Sequence, residues 1–223
     1  MELFFVKKKN LIFLITISFL FVLNTLNIFF YTPMVPDQHW AQKIFYLHVP
    51  SAWVGFLSYF LAMLSGITFL LTKKEVWDSR GLASAEIGTI FMALVLITGP
   101  IWATPIWGKP WIWEPRLTTT LILFLTYVGY FMIRSFGGNM ERAKKIAASI
   151  AVIAFINVPI IFFSVQFWSP ELQSHPQVEM NQQPKGILSP FLFSLFVFSL
   201  IYFLMLIYRT HVISIKKKYN KHV

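Results

Sequence analysis

The chain has 223 residues, 57% of them hydrophobic and 13% charged, with a net charge of +10 and no cysteine. A water-soluble domain carries about 25% charged residues, so a fully solvated surface is excluded and a lipid bilayer is the expected solvent. The lack of cysteine excludes disulfides, thiolate metal sites, thiol nucleophiles and a C-x-x-C-H haem attachment motif.

Six apolar runs follow one another: Leu11–Tyr31, Val49–Leu71, Ala85–Ile106, Thr118–Arg134, Ile146–Trp168 and Ile187–Tyr208. Each approaches the ~20 residues that cross ~30 Å of hydrocarbon at 1.5 Å per residue. Backbone groups in hydrocarbon must pair internally, so each run is predicted to be a helix. The first run is too long for a signal-peptide core and lacks a cleavage site, which makes it a retained anchor. Pro50 suits a first helical turn, so the second helix is expected to begin about at His48. Gly99-Pro100 is expected to kink the end of the third helix, and Asn157 with Pro159 the fifth. Pro105, Pro110 and Pro115 argue for a stiff loop or short broken helix between the third and fourth spans. Gly137-Gly138-Asn139 reads as the turn between the fourth and fifth.

The expected fold class is an all-α membrane protein, one transmembrane domain over residues 1–223 built as a six-helix bundle. Its outer loops would be 32–48, 107–117 and 169–186. Of the lysines and arginines, only Lys43, Lys109, Arg116 and Lys185 fall on the outer side; all others fall on the opposite side. The positive-inside rule makes that richer side cytoplasmic and places both termini there. The basic clusters are therefore topology signals, and no nucleic-acid partner is expected. Ionisable groups are absent from the middle of the spans, where a pump or coupled transporter needs one.

Every tryptophan except Trp77 lies on or beside the outer face. An interfacial belt would populate both faces. The densest stretch, Trp107-Gly108-Lys109-Pro110-Trp111-Ile112-Trp113-Glu114-Pro115-Arg116-Leu117-Thr118, offers several indoles, a carboxylate and a guanidinium. It is either a membrane-surface anchor or an apolar platform for a large planar ligand whose carboxylates meet Arg116 or Lys109. His39, His48 and His175 share that face, and neutral imidazole is an axial ligand of haem iron. A zinc site made from the same histidines is chemically possible, as are a channel or transporter and a b-type electron-transfer protein using the outer histidines.

Three segments carry a family resemblance: WGKPWIWEPRLTT, KIFYLHVPSAWVG and FWSPELQSHPQ. Together with six spans over nearly the whole chain, they resemble the CcmC family, tryptophan-motif haem-handling proteins of cytochrome c maturation. The resemblance implies a protein that holds haem b at the outer face of the inner membrane and delivers it to the periplasmic haem chaperone CcmE. Its partners would be the ABC transporter subunits CcmA and CcmB, the small membrane protein CcmD and the lipid bilayer itself. A mitochondrial inner membrane is the other setting it implies. His48 and His175 would be the axial ligands. Trp107, Trp111 and Trp113 would form the platform, and Arg116 and Lys43 would offer positive charge to the haem edge or to the chaperone. Glu114 stands where the family typically has aspartate, Pro115 replaces a small residue, and Lys43 stands where arginine is common. The implied role is a delivery factor, with the covalent chemistry left to haem and the chaperone.

Overall fold

A computed structural model describes residues 8–36, 38–167 and 185–219. It contains α1 (Lys8–Phe30), a 3-10 helix (His39–Ile44), α2 (Phe45–Thr72), α3 (Glu75–Trp107), α4 (Pro115–Phe136), α5 (Met140–Phe155), α6 (Asn157–Phe167) and α7 (Lys185–Tyr219). Among the described residues six helical stretches are long and apolar enough to cross a membrane, with α5 and α6 together forming the fifth. The protein is all-α among the described residues and multi-pass.

The antiparallel pair α2 and α3 forms the centre. Helices α4, α5 and α6 pack on one flank and α7 on the other, while α1 packs mainly against α7. The first flank closes over Tyr59, Met92, Leu123, Tyr127, Ala147 and Ala151. Tyr59 and Tyr127 stack there, ring centres 3.8 Å apart and planes 8° from parallel. The second flank closes over Val54, Ile87, Phe91, Phe198 and Tyr202. Ser84 joins three helices: its hydroxyl donates to Ser58 O at 2.8 Å on α2 and lies 2.7 Å from the Tyr202 hydroxyl on α7. Such small and hydroxylated residues let membrane helices approach closely and bond across the contact. Peripheral α1 is fastened by a buried bond from Ser194 Oγ to Asn24 Oδ1 at 2.9 Å.

Several helix ends differ from the sequence expectation. Helix α2 starts at Phe45, one turn before His48, because the 3-10 helix runs directly into it. Phe45 and Tyr46 are buried against Trp102 and Phe191, which holds that turn ahead of Pro50. Helix α3 runs through Pro100 and Pro105 to Trp107 and stops at Gly108, whose φ of +70° favours glycine. The expected loop is therefore only 108–114. It ends where Pro115 opens α4, a position that needs no amide donor. The expected break in the fifth span is present. Pro159 cannot donate to the carbonyl of Phe155, where α5 ends. Asn157 Nδ2 beside the break donates to Thr119 O on α4 at 2.7 Å. The Gly137-Gly138-Asn139 turn is also present, with Asn139 capping α5 by accepting from Arg142 N at 3.0 Å.

At the basic end, α3 begins earlier and α7 ends later than the apolar runs. Their extra turns carry ion-pair partners. Lys217 bridges Glu75 (2.8 Å) and Asp78 (2.6 Å), Lys144 bridges Glu75 (2.7 Å) and Glu141 (2.6 Å), and Arg209 grips Glu86.

Candidate functional site

At the tryptophan-rich end, α2 presents His48 to α3. The half-buried imidazole has Nδ1 2.9 Å from Thr98 Oγ1. Trp102 meets it edge-on, with ring centres 5.6 Å apart and planes at 65°. Thr98 and Trp102 are one helical turn apart and so face the same neighbour. Gly99, between them, leaves room for the ring: a Cβ there would sit 3.3 Å from His48 Cε1. Trp102 Nε1 in turn donates to Gln38 Oε1 at 3.3 Å, just ahead of the 3-10 helix. Thr98, Gly99, Trp102 and Gln38 are absent from the sequence-derived site. The i, i+4 pairing of Thr98 with Trp102 at the outer end of the third span was the available sign.

The connection between α3 and α4 divides its residues between surface and interior. Trp113 is 74% exposed, and it meets half-buried Trp111 edge-on at 5.7 Å. Trp111 Nε1 is buried and has no hydrogen-bond partner among the described residues. Trp107 is half-buried in the last turn of α3. Trp40 and Trp53 add exposed indoles nearby in sequence to His48. Glu114 is buried, not presented at the surface as the sequence suggested, and sits at the N-terminus of α4, where the helix dipole favours a carboxylate. Half-buried Arg116 is its opposite-charge neighbour.

Lys43 is also buried. Its ammonium donates to Thr32 O at 2.6 Å and to the Thr32 hydroxyl, tying the 3-10 helix back to the end of α1. His39 is exposed, with a φ of +46°. His175 and Trp168 lie outside the described residues. Among the described residues no cluster of three or more His, Asp or Glu side chains is arranged to hold a metal ion.

The structure thus groups His48 with Thr98, Gly99 and Trp102, groups Trp111 with Trp113, and sets Arg116 within electrostatic reach of Glu114. An open groove of about 550 Å³ lies at the other end of the bundle, between α2, α3 and α7, near Trp77, Arg80 and His211. None of the sequence-derived site residues lines it.

The family model described as "CcmC: Heme exporter protein C" matches residues 2–223. The "Putative cytochrome c biosynthesis ccmC-like mitochondrial protein" of Marchantia polymorpha is 35% identical over 158 residues, covering 70% of this chain and 67% of that protein. The "Heme exporter protein C" of Bradyrhizobium diazoefficiens is 33% identical over 174 residues, 76% of this chain and 66% of the relative. That of Escherichia coli K12 is 30% identical over 173 residues, 78% and 70%. The matched stretches span about two thirds of these relatives' own length. With a family model matched from residue 2 to residue 223, this multi-pass membrane chain belongs to the CcmC, heme exporter protein C, family.

Proposed function

We propose that this chain handles haem in cytochrome c maturation, holding haem b at its tryptophan-rich end. The observation that carries the reading is the seating of His48. One imidazole nitrogen is occupied by Thr98, and the ring is steadied by Trp102 at the end of the bundle where exposed indoles collect. The side chains suit an iron porphyrin. His48 offers a nitrogen ligand, Trp113 an apolar face, and the buried Trp111 N–H a donor without an acceptor among the described residues. His175 would be the second axial ligand, Trp107 would extend the platform, and Arg116 would offer positive charge to the propionates.

The concentration of lysine and arginine at the opposite end supports a cytoplasmic location for both termini and a periplasmic location for His48, in the bacterial inner membrane. From there the haem would pass to the chaperone CcmE, with CcmA, CcmB and CcmD as further partners. Haem supplies the reactive porphyrin edge. The chain binds it, orients it and limits the access of water. The burial of Lys43 and Glu114 favours structural roles for these two: Lys43 anchoring the 3-10 helix, and Glu114 starting α4.

The test is the optical spectrum and haem content of the full chain purified with its chaperone. Variants carrying His48→Ala and His175→Ala together should lose the bound haem. Unchanged haem content and spectrum would overturn the assignment.

A further inference from the structure

We propose that Thr98 is a positioning residue that fixes His48 in its Nδ1–H tautomer, so that Nε2 is the nitrogen offered to iron. Thr98 Oγ1 lies 2.7 Å from Leu94 O, the carbonyl one turn earlier in α3. Two oxygens at that distance need a proton between them, and a carbonyl has none to give. The single hydroxyl proton of Thr98 is therefore committed to Leu94 O. Thr98 Oγ1 also lies 2.9 Å from His48 Nδ1. With its proton engaged, the hydroxyl meets Nδ1 only as an acceptor, so Nδ1 carries the ring hydrogen. In neutral imidazole the lone pair then resides on Nε2. The reverse assignment would leave the Thr98 and Leu94 oxygens in contact with no hydrogen between them.

The surroundings hold this arrangement in place. Gly99 admits the Cε1 edge of the ring, where a Cβ would come within 3.3 Å. Trp102 limits rotation from the side, and its own indole is tethered to Gln38. Three residues from one turn of α3 thus define position, rotation and protonation of a side chain on α2. A partner on the remote imidazole nitrogen is how proteins orient metal-binding histidines and raise their basicity. Here that partner is a hydroxyl whose polarity is set by the helix carbonyl behind it.

The tautomer stands independently of any ligand; its use in haem binding rests on the reading above. The test separates the two. The full chain, 15N-labelled at histidine and reconstituted in lipid nanodiscs at mildly alkaline pH, is examined by NMR, with His48 assigned by comparison with His48→Gln. A protonated Nδ1 and an unprotonated Nε2 are expected. Thr98→Val removes the acceptor and should give a mixture of tautomers or the Nε2–H form, whereas Thr98→Ser should restore the original signals. With haem, Thr98→Val should weaken binding about 10- to 100-fold, the usual cost of losing such a partner, and Thr98→Ser should recover it. An Nε2–H tautomer in the unaltered chain, or an Nδ1–H tautomer that survives Thr98→Val, would overturn the proposal. Haem binding that ignores His48→Ala would overturn the ligand reading and leave the tautomer assignment standing. Recovery by Thr98→Ser separates positioning from mere loss of folding.

Discussion

Asp78 on α3 and Arg134 on α4 meet in a two-point ion pair, with Nη1 donating to Oδ1 at 2.6 Å and Nη2 to Oδ2 at 3.0 Å. The Asp78 side chain is 2% exposed, and Lys217 from α7 closes on it at 2.6 Å. Helices α3, α4 and α7 are thereby joined at the basic end. Removing one member of such a buried pair strands the other charges, at a typical cost of about 3–5 kcal/mol. Asp78→Ala should therefore lower the midpoint of thermal unfolding in detergent markedly. Asp78→Leu with Arg134→Leu should cost less than the two single changes summed.

Gly88 and Gly129 make a matched pair for a packing test. A Cβ on Gly88 would lie 2.7 Å from Ser58 Cβ and 3.0 Å from the Tyr59 ring, whereas one on Gly129 would meet nothing within 4 Å. Gly88→Ala should destabilise by about 1–3 kcal/mol through overpacking at the α2–α3 contact. Gly129→Ala should be neutral or stabilise by up to about 1 kcal/mol, since alanine is the better helix former. Chemical unfolding in mixed micelles measures both; equal losses would contradict the packing described.

Helix α1 leans on α7 with a buried polar contact, Ser194 to Asn24. Hydrogen bonds between membrane helices average about 0.6 kcal/mol. Asn24→Leu should accordingly reduce stability only slightly. It should also make α1 the first helix to gain amide hydrogen exchange.

Trp113 is exposed and Trp111 is half-buried beneath it. Trp113→Ala should leave the unfolding free energy within about 0.5 kcal/mol of the unaltered chain, as for other surface changes. Trp111→Ala with Trp113→Ala should diminish haem retention while the chain still inserts in the membrane. Loss of the inserted chain instead would mark the connection as purely structural.

The number and order of the spans were legible because the cost of hydrocarbon burial is local and additive along the chain. The break before Asn157 and the turn at Gly137 to Asn139 were legible for the same reason, since proline and glycine act through their own backbone. The burial of Lys43 and Glu114 was not legible, because a charged side chain in an outer loop shows its burial only once its partners are known. Thr32 and Arg116, the residues beside them, have no distinguishing pattern. The early start of α2 was hidden because Pro50 marks a possible helix start, while the packing of Phe45 and Tyr46 against Phe191 involves the other end of the chain.

By itself the sequence determined an all-helical chain that crosses the membrane repeatedly, with cations gathered at one end and indoles at the other. These are properties of composition and period, and each segment states them alone. Tertiary structure decided which of the polar residues act together: Asp78 with Arg134 and Lys217, Ser84 with Tyr202, and His48 with Thr98. The reason is range. A hydrogen bond or ion pair needs atoms about 3 Å apart, and between helices 50 or more positions apart only the packed bundle supplies that closeness.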